Sequence, residues 1–417
     1  MQTRRILGQK EKGECLNRYN STMFQSLKNI FHYFVAILAN LVFFFPGKKL
    51  TVIGVTGTDG KTTTVNLIYH ILKENGMSAS MLTSIGAFIG KKEYETGFHV
   101  TTPNPFTLQR FLRQALHHRN KYFVLEVTSH ALDQHRVTGV PFKIGVLTNI
   151  TSEHLDYHKT FDNYLHVKEK LLKNAEIAIV NRDDGSYTML SQSKNETENR
   201  NWITYGFSET ADVNLENFPF ESHILMGDFN KYNGLAAVSV CKTLGISDEN
   251  IRKAIKTFKL PLGRLDFVYD EEFAVVIDFA HTPNAFDQLL GALRQETTGR
   301  IIHVFGSAGE RDHAKRPFMG ETSSKHADIL FLTAEDPRSE DVNKIIDEIA
   351  SGIKKKDAKV FKIINRKDAI NAAIEMAGKG DLVVITGKAH ERSMTYGNKD
   401  FPWNEYEVIE NAIKTRK

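Results

Sequence analysis

The strongest constraint on the fold is the run Val52-Ile53-Gly54-Val55-Thr56-Gly57-Thr58-Asp59-Gly60-Lys61-Thr62-Thr63-Thr64, which reads as a strand, a glycine-rich turn and a helix start. Glycines lacking a Cβ let backbone N–H groups close on phosphate oxygens, and a helix N-terminus favours anions. Lys61 adds a point charge, and Thr62 adds a hydroxyl that can ligate magnesium. Gly57, Thr58, Asp59, Gly60, Lys61, Thr62 and Thr63 are therefore the candidate ATP-binding loop. The spacing departs from the general P-loop pattern, because Val55 stands where its first glycine belongs.

Such a loop belongs to an α/β sheet, and the surrounding pattern agrees. Short β-branched runs alternate with helical stretches: Leu50–Val55 then Thr62–Glu74, and Phe123–Val127 then Ile144–Thr148. The zone Asp212–Asp228 is poorer in such runs and leads to helices over Asn230–Leu244 and Ser247–Phe258. After Pro261-Leu262-Gly263 the alternation restarts, with Ala274–Phe279, Ile301–Phe305, Ile329–Thr333, Val360–Ile363 and Leu382–Thr386 reading as buried parallel strands. At 417 residues the chain exceeds one ordinary core. The expected fold class is α/β: a central P-loop-type ATPase domain over 49–259 and a C-terminal doubly wound, Rossmann-like domain over 260–417. A short helical N-terminal extension over 1–48 precedes them.

Cys15 and Cys241 are the only cysteines, far apart and in no metal-ligand spacing, so neither a disulfide framework nor a structural zinc site is expected. A reducing cytoplasm fits that usage. The net charge of +4 comes from scattered basic residues, which argues against a nucleic-acid partner. The apolar stretch Ile30–Phe45 is interrupted by His32, Tyr33 and Asn40 and is short of a membrane span. The expectation is a helix docked on the next domain; peripheral membrane contact through an apolar face is the alternative. The segment Ser191–Asn199 reads as a polar loop.

Glu126 ends a strand, which puts a carboxylate at the sheet edge where α/β proteins bind ligands and where magnesium finds oxygen donors. A second polar cluster, Thr148-Asn149-Ile150-Thr151-Ser152-Glu153-His154-Leu155-Asp156, ends another strand, and His154 becomes a ligand candidate beside a phosphate loop.

Gly57–Thr63, Glu126–Ser129, Asn149–His154 and later motifs together resemble the Mur ligases of peptidoglycan assembly, from about Leu50 to the C-terminus. The resemblance is specific to the branch that adds the third stem-peptide residue, meso-diaminopimelate or lysine, to UDP-N-acetylmuramoyl-L-alanyl-D-glutamate. It implies a catalytic and metal-binding set of Lys61, Thr62, Glu126, His154 and Lys168, with Lys168 carbamylated, and ATP and Mg2+ as cofactors. It implies acceptor contacts by Thr101, Thr102, Thr128, Gln134 and Arg136, and nucleotide contacts by Asn230, Arg264 and His281. Arg311, Glu335, Asp336, Pro337, Arg338, Gly387 and Glu391 would hold the incoming diamino acid. Thr128 stands where the family usually has serine. Glu335-Asp336-Pro337-Arg338 replaces the Asp-Asn-Pro-Arg usual in diaminopimelate enzymes, adding an anion. Full-length relatives begin with a separate domain for the UDP end, so a truncated or lipid-linked acceptor stays open beside the UDP-dipeptide. A folylpolyglutamate-synthetase-like ligase, a degenerate binding scaffold and a plain P-loop ATPase are the competing readings.

Overall fold

The strand Thr51–Thr56 (β1) is buried on both faces after its first residue and sits near the middle of an eight-stranded sheet. The computed structural model of the chain describes residues 28–95, 101–151, 153–192, 201–220, 225–354 and 358–416. Cys15, Ser152, residues 221–224 of the Asp212–Asp228 zone and residues 193–199 of the polar loop lie outside them.

The other strands of this sheet are Ala79–Leu82 (β2), Ala87–Ile89 (β3), Lys92–Tyr94 (β4), Tyr122–Glu126 (β5), Phe142–Leu147 (β6), Ala175–Asn181 (β7) and Asn201–Tyr205 (β8), in spatial order β4-β3-β2-β5-β1-β6-β7-β8. β1 pairs in parallel with β5 on one side and β6 on the other, with Val55 opposite Glu126 and Thr56 opposite Leu147. This register brings the carboxyl ends of three strands level, so their loops leave at one edge, as expected where the strand order reverses. The helix Lys61–Glu74 leaves β1 there. It buries Val65, Leu67, Ile68, Ile71 and Leu72 in a core shared with Leu235, Ala236 and Val240 of the helix Asp228–Thr243.

The second sheet contains Asp266–Asp270 (β9), Ala274–Asp278 (β10), Ile301–Phe305 (β11), Ile329–Leu332 (β12), Lys359–Lys362 (β13) and Leu382–Thr386 (β14), in the order β13-β12-β11-β14-β10-β9. All pairings are parallel except β9 with β10. Separate apolar clusters cover its two faces, as a doubly wound sheet requires. The expectation that Val360–Ile363 is buried is corrected: β13 is an edge strand whose residues are mostly exposed. Its two lysines, Lys359 and Lys362, suit an edge that pairs to β12 on one side only.

Residues 28–42 form a helix that buries Ala36, Ala39 and Asn40 against the first sheet's layer. The Asn40 amide donates to the Thr138 carbonyl at 2.9 Å. Among the described residues no helix is long and apolar enough to cross a membrane.

One buried ion pair ties the C-terminal half together. Arg366 donates to both oxygens of Glu405, at 3.0 Å from Nε and 2.5 Å from Nη2, and also to the Thr386 carbonyl. Both side chains are fully buried, and the Trp403 indole N–H donates to Glu405 at 2.8 Å. Arg366→Leu strands the Glu405 charge and is expected to cost about 3–5 kcal/mol. Urea unfolding followed by Trp403 fluorescence in a Trp202→Phe background measures it. An unchanged midpoint would mean the pair is not needed.

Candidate active site

The loop between β1 and the helix Lys61–Glu74 is held in a conformation that only glycine adopts without strain. Gly60 caps the helix at φ +82°, and a Cβ there would lie 2.1 Å from Asn233 Oδ1. A Cβ on Gly57 would lie 1.7 Å from Thr148 Oγ1. The end of β6 braces the loop: Thr58 N donates to the Asn149 carbonyl, Asp59 N to Asn149 Oδ1, and Thr148 Oγ1 to the Asp59 carbonyl at 2.6 Å. The Lys61 ammonium folds over it, donating to the Gly57 and Thr58 carbonyls at 3.1 and 2.6 Å. An anion at the first turn of this helix would meet unpaired N–H groups and that charge together.

Directly beside it, Thr62 Oγ1 donates to Glu126 Oε2 at 3.0 Å, and Ser84 N donates to the same oxygen at 3.1 Å. Lys168, fully buried, donates to the Gly57 carbonyl and lies 4.4 Å from the centre of the Tyr164 ring. Burial first, and then the Lys61 charge, hold its amine well below the ordinary lysine range. His154, at a left-handed φ of 56°, is pushed down to about 3 mainly by burial, so it is a neutral imidazole at physiological pH. Among the described residues no three His, Cys, Asp or Glu side chains cluster as a metal site. A cation here would draw on Thr62, Glu126 and neighbouring nitrogen or oxygen donors.

The segment after β5 forms the next wall. Thr102 Oγ1 donates to the Glu126 carbonyl at 2.9 Å, and Arg136 Nη1 donates to the Thr102 carbonyl at 2.8 Å. Thr128 caps the helix Ser129–Asp133 with its hydroxyl, which explains why a threonine serves where serine is usual. Gln134 does not line the cleft. It accepts from Arg136 Nε and Nη2 at 3.0 and 2.7 Å and so fixes the guanidinium from behind.

The C-terminal half reaches into this site. Arg264 Nη2 donates to Thr62 Oγ1 at 3.2 Å, and Asn284 Nδ2 donates to Asp59 Oδ2 at 3.1 Å. His281 faces acceptors from both ring nitrogens, Glu153 Oε1 at 3.1 Å and the Phe279 carbonyl at 2.9 Å. Burial works against its protonation, but the hydrogen bond to Glu153 and that residue's charge together outweigh it and raise the imidazole. Burial would likewise push Glu153 up, yet His154 and His281 hold it well below the usual carboxylate range. The result is a charged bridge between the two halves.

At the far end, Lys388 is fully buried with both Asp336 oxygens at 2.9 Å and Glu391 as a further partner. Arg338 donates to the Gly309 carbonyl. Glu310, Asp336, Arg338 and Ala389 all have positive φ, so these strand-end loops carry backbone strain of the kind found at ligand sites. The carboxyl of buried Glu335 is raised by burial, partly offset by His281 and Arg366.

The Gly57–Thr63 loop, the Glu126 and Arg136 wall and the strand-end loops of the C-terminal half open on one cleft of about 960 Å³, with fully buried Lys388 outside its lining. It takes in Thr101, Thr102, Thr128, Arg136, Asn230, Arg264, His281, Arg311, Glu335, Asp336, Arg338, Gly387 and Glu391 with the loop Gly57–Thr63, Glu126, His154 and Lys168; of the residues expected from sequence only Gln134 and Pro337 stand outside. Glu153, Asn284 and Lys315, whose ammonium donates to the His281 carbonyl at 2.9 Å, were not singled out. Glu153 directly precedes His154, a signal that could have found it; Lys315 carries none.

Residues 55–241 match the Mur ligase middle domain, and residues 263–389 match the Mur ligase, glutamate ligase domain. The chain belongs to the Mur ligase family. It is similar to "UDP-N-acetylmuramoyl-L-alanyl-D-glutamate--2,6-diaminopimelate ligase 1" of Clostridium acetobutylicum, 38% identical over 389 residues, which cover 88% of this chain and 79% of the relative. A solved structure of a UDP-N-acetylmuramoyl-L-alanyl-D-glutamate--2,6-diaminopimelate ligase is 29% identical, with a TM-score of 0.59 over 88% of this chain and 78% of that one. The MurF ligase of Thermotoga maritima, solved with ADP, shares the fold at 20% identity, with a TM-score of 0.65 over 92% and 84% of the two chains. The chain is thus an ATP-using ligase that forms a carbon–nitrogen bond to an amino acid.

For this Mur ligase the loop geometry makes a direct prediction. Gly60→Ala forces a left-handed alanine into the Asn233 amide and should cost about 1–3 kcal/mol of backbone strain. The rise in melting temperature caused by magnesium ATP should then disappear. A variant that keeps the full ATP-induced shift would remove this loop from the nucleotide site.

Proposed function

We propose that the chain adds meso-diaminopimelate to the D-glutamate carboxylate of UDP-N-acetylmuramoyl-L-alanyl-D-glutamate through an acyl phosphate. The observation that carries this reading is the single cleft that joins the Lys61 loop, the Thr62–Glu126 pair, Arg136 and the arginine-lined far end. The site assignments follow from it. Gly57–Thr63, Asn230, Arg264 and His281 bind ATP, Thr101, Thr102, Thr128 and Arg136 hold the acceptor, and Gln134 positions Arg136. The domain boundaries we assign lie near residue 48, ahead of the first sheet, and near residue 259, between the two sheets.

Magnesium fits the donor set, because the Thr62 hydroxyl and Glu126 carboxylate, the oxygen donors that would hold it, lie 3.0 Å apart beside the phosphate loop. When bound it would neutralise charge on the transferring phosphoryl group. Lys168 and His154 supply a second set of donors. The depressed amine of Lys168 is the neutral form that takes up carbon dioxide, and its carbamate would offer an anionic oxygen.

Arg136 orients the acceptor carboxylate towards the γ-phosphate held by Lys61 and the loop amides. Attack in line gives the acyl phosphate and ADP. The contacts Arg264–Thr62, Asn284–Asp59 and His281–Glu153 close the cleft and keep water from that intermediate. Arg311 and Arg338 grip carboxylates of the incoming residue, and Glu335 and Glu391 face its ammonium groups, within the turn set by Asp336, Pro337 and Gly387. The free amine then attacks the activated carbonyl and phosphate leaves.

The extra anion of Asp336 does not exclude a dicarboxylate substrate, because Lys388 neutralises it in place. The test is an ADP-release assay crossing the UDP-dipeptide and simpler carboxylates against diaminopimelate, lysine and other amino acids. Turnover should require both the UDP-dipeptide and diaminopimelate, and stop on chelation of magnesium. Lys61→Ala should slow it about a hundredfold to a thousandfold. Arg338→Ala should raise the KM for diaminopimelate about tenfold to a hundredfold, the loss of a charged hydrogen bond. Turnover with folate-type acceptors instead would move the chain to the folylpolyglutamate synthetases.

A further inference from the structure

Residues 28–44 present an apolar surface that the ligase chemistry does not use. Ile30, Phe31, Phe34, Leu38, Leu41 and Val42 are each more than half exposed. At 100° per residue they fall within about a third of the helix circumference. The opposite arc is pinned to the body of the protein. Asn29 donates to Asp133 at 3.1 Å, the Tyr33 ring meets His135 edge-on at 5.4 Å, and Asn40 reaches the Thr138 carbonyl. The helix is therefore anchored by its polar side, with its greasy side outward.

Its rim is basic. Lys28, Lys48 and Lys49 flank the helix and are exposed. The neighbouring helix Pro105–His117 turns Phe106, Arg110, Arg113 and His117 to solvent, and Phe106 touches Phe43 edge-on at 6.5 Å. Lys49, Arg113 and His117 line one small cleft. No Asp or Glu occurs in residues 28–58 or 101–125.

We propose that this face is an in-plane anchor for an anionic lipid bilayer, with the aromatic and aliphatic stripe in the acyl boundary and the Lys49–Arg113–His117 cleft at the phosphates. An amphipathic helix with cations at its edge is the form such anchors take, and residues 28–42 span only about 22 Å, suited to lying on a membrane. A second copy is the poorer occupant: a two-fold interface would set one basic rim against another without a counter-charge. The inference does not depend on the substrate assigned above. It does place the acceptor wall near the lipid, because the pinned segment 133–138 carries Gln134 and Arg136.

Flotation of the full chain with vesicles tests it. The protein should rise with vesicles containing phosphatidylglycerol, less with pure phosphatidylcholine, and less as salt increases. Lys48→Ser with Arg113→Ser should weaken binding roughly 25-fold, at about fivefold per charge. Phe31→Ser with Phe34→Ser should abolish it while the melting temperature stays unchanged, since both rings are solvent-facing. Absence of vesicle binding, or binding indifferent to the phenylalanine pair, overturns the proposal. So does a dimer in sedimentation velocity that the same pair dissolves, which would assign the face to a second copy.

Discussion

The Thr62 hydroxyl is the point on which the two halves of the molecule agree. It donates to Glu126 from β5, lies 3.2 Å from Ser84 beyond β2, and accepts from Arg264, which enters from the second half. Glu126, Ser84 and Arg264 are 64, 22 and 202 residues away along the chain. They can meet only because β1 is flanked by β5 and β6 in a register that levels their carboxyl ends. The phosphate loop, the acceptor wall and the closure by the C-terminal half all depend on that alignment.

Closure also sets the electrostatics. Burial raises the carboxyls of Asp59, Asp278 and Glu335 and lowers the Lys168 amine and the His154 imidazole. Each of these groups is moved towards its neutral form, as a site shut off from water requires. The exception is the Glu153–His281 pair, which stays charged because each partner stabilises the other across the cleft. A bridge of that kind is strong when the halves meet and weak when water enters, so it favours the closed arrangement without fixing it.

How far the fold was legible follows from burial. Ile301–Phe305 and Leu382–Thr386 are buried on both faces and read correctly to the residue. The strands Lys92–Tyr94 and Asp266–Asp270 are partly exposed and carry no clean period, so no sequence pattern marked them. The same reasoning holds for the site. Contiguous stretches such as Gly57–Thr63 announce phosphate chemistry because their spacing is itself the mechanism. The Glu153–His281 bridge joins residues 128 apart and is visible only once the halves are folded together.

The far end of the cleft shows why a charge read from sequence can mislead. Asp336 looks like an added anion beside Glu335 and Glu391, which would repel a substrate with two carboxylates. In the folded chain Lys388 meets both Asp336 oxygens and Glu391, while the Thr395 N–H donates to Asp336 at 2.9 Å. Burial raises the Glu335 carboxyl, and His281 and Arg366 work against that rise. Arg311 and Arg338 then face the cleft beside carboxylates of which Asp336 and Glu391 are already partnered by Lys388. A residue carrying both ammonium and carboxylate groups is matched better by such a mixed field than a purely cationic side chain would be, which is the physical basis for preferring diaminopimelate over lysine in the proposed reaction.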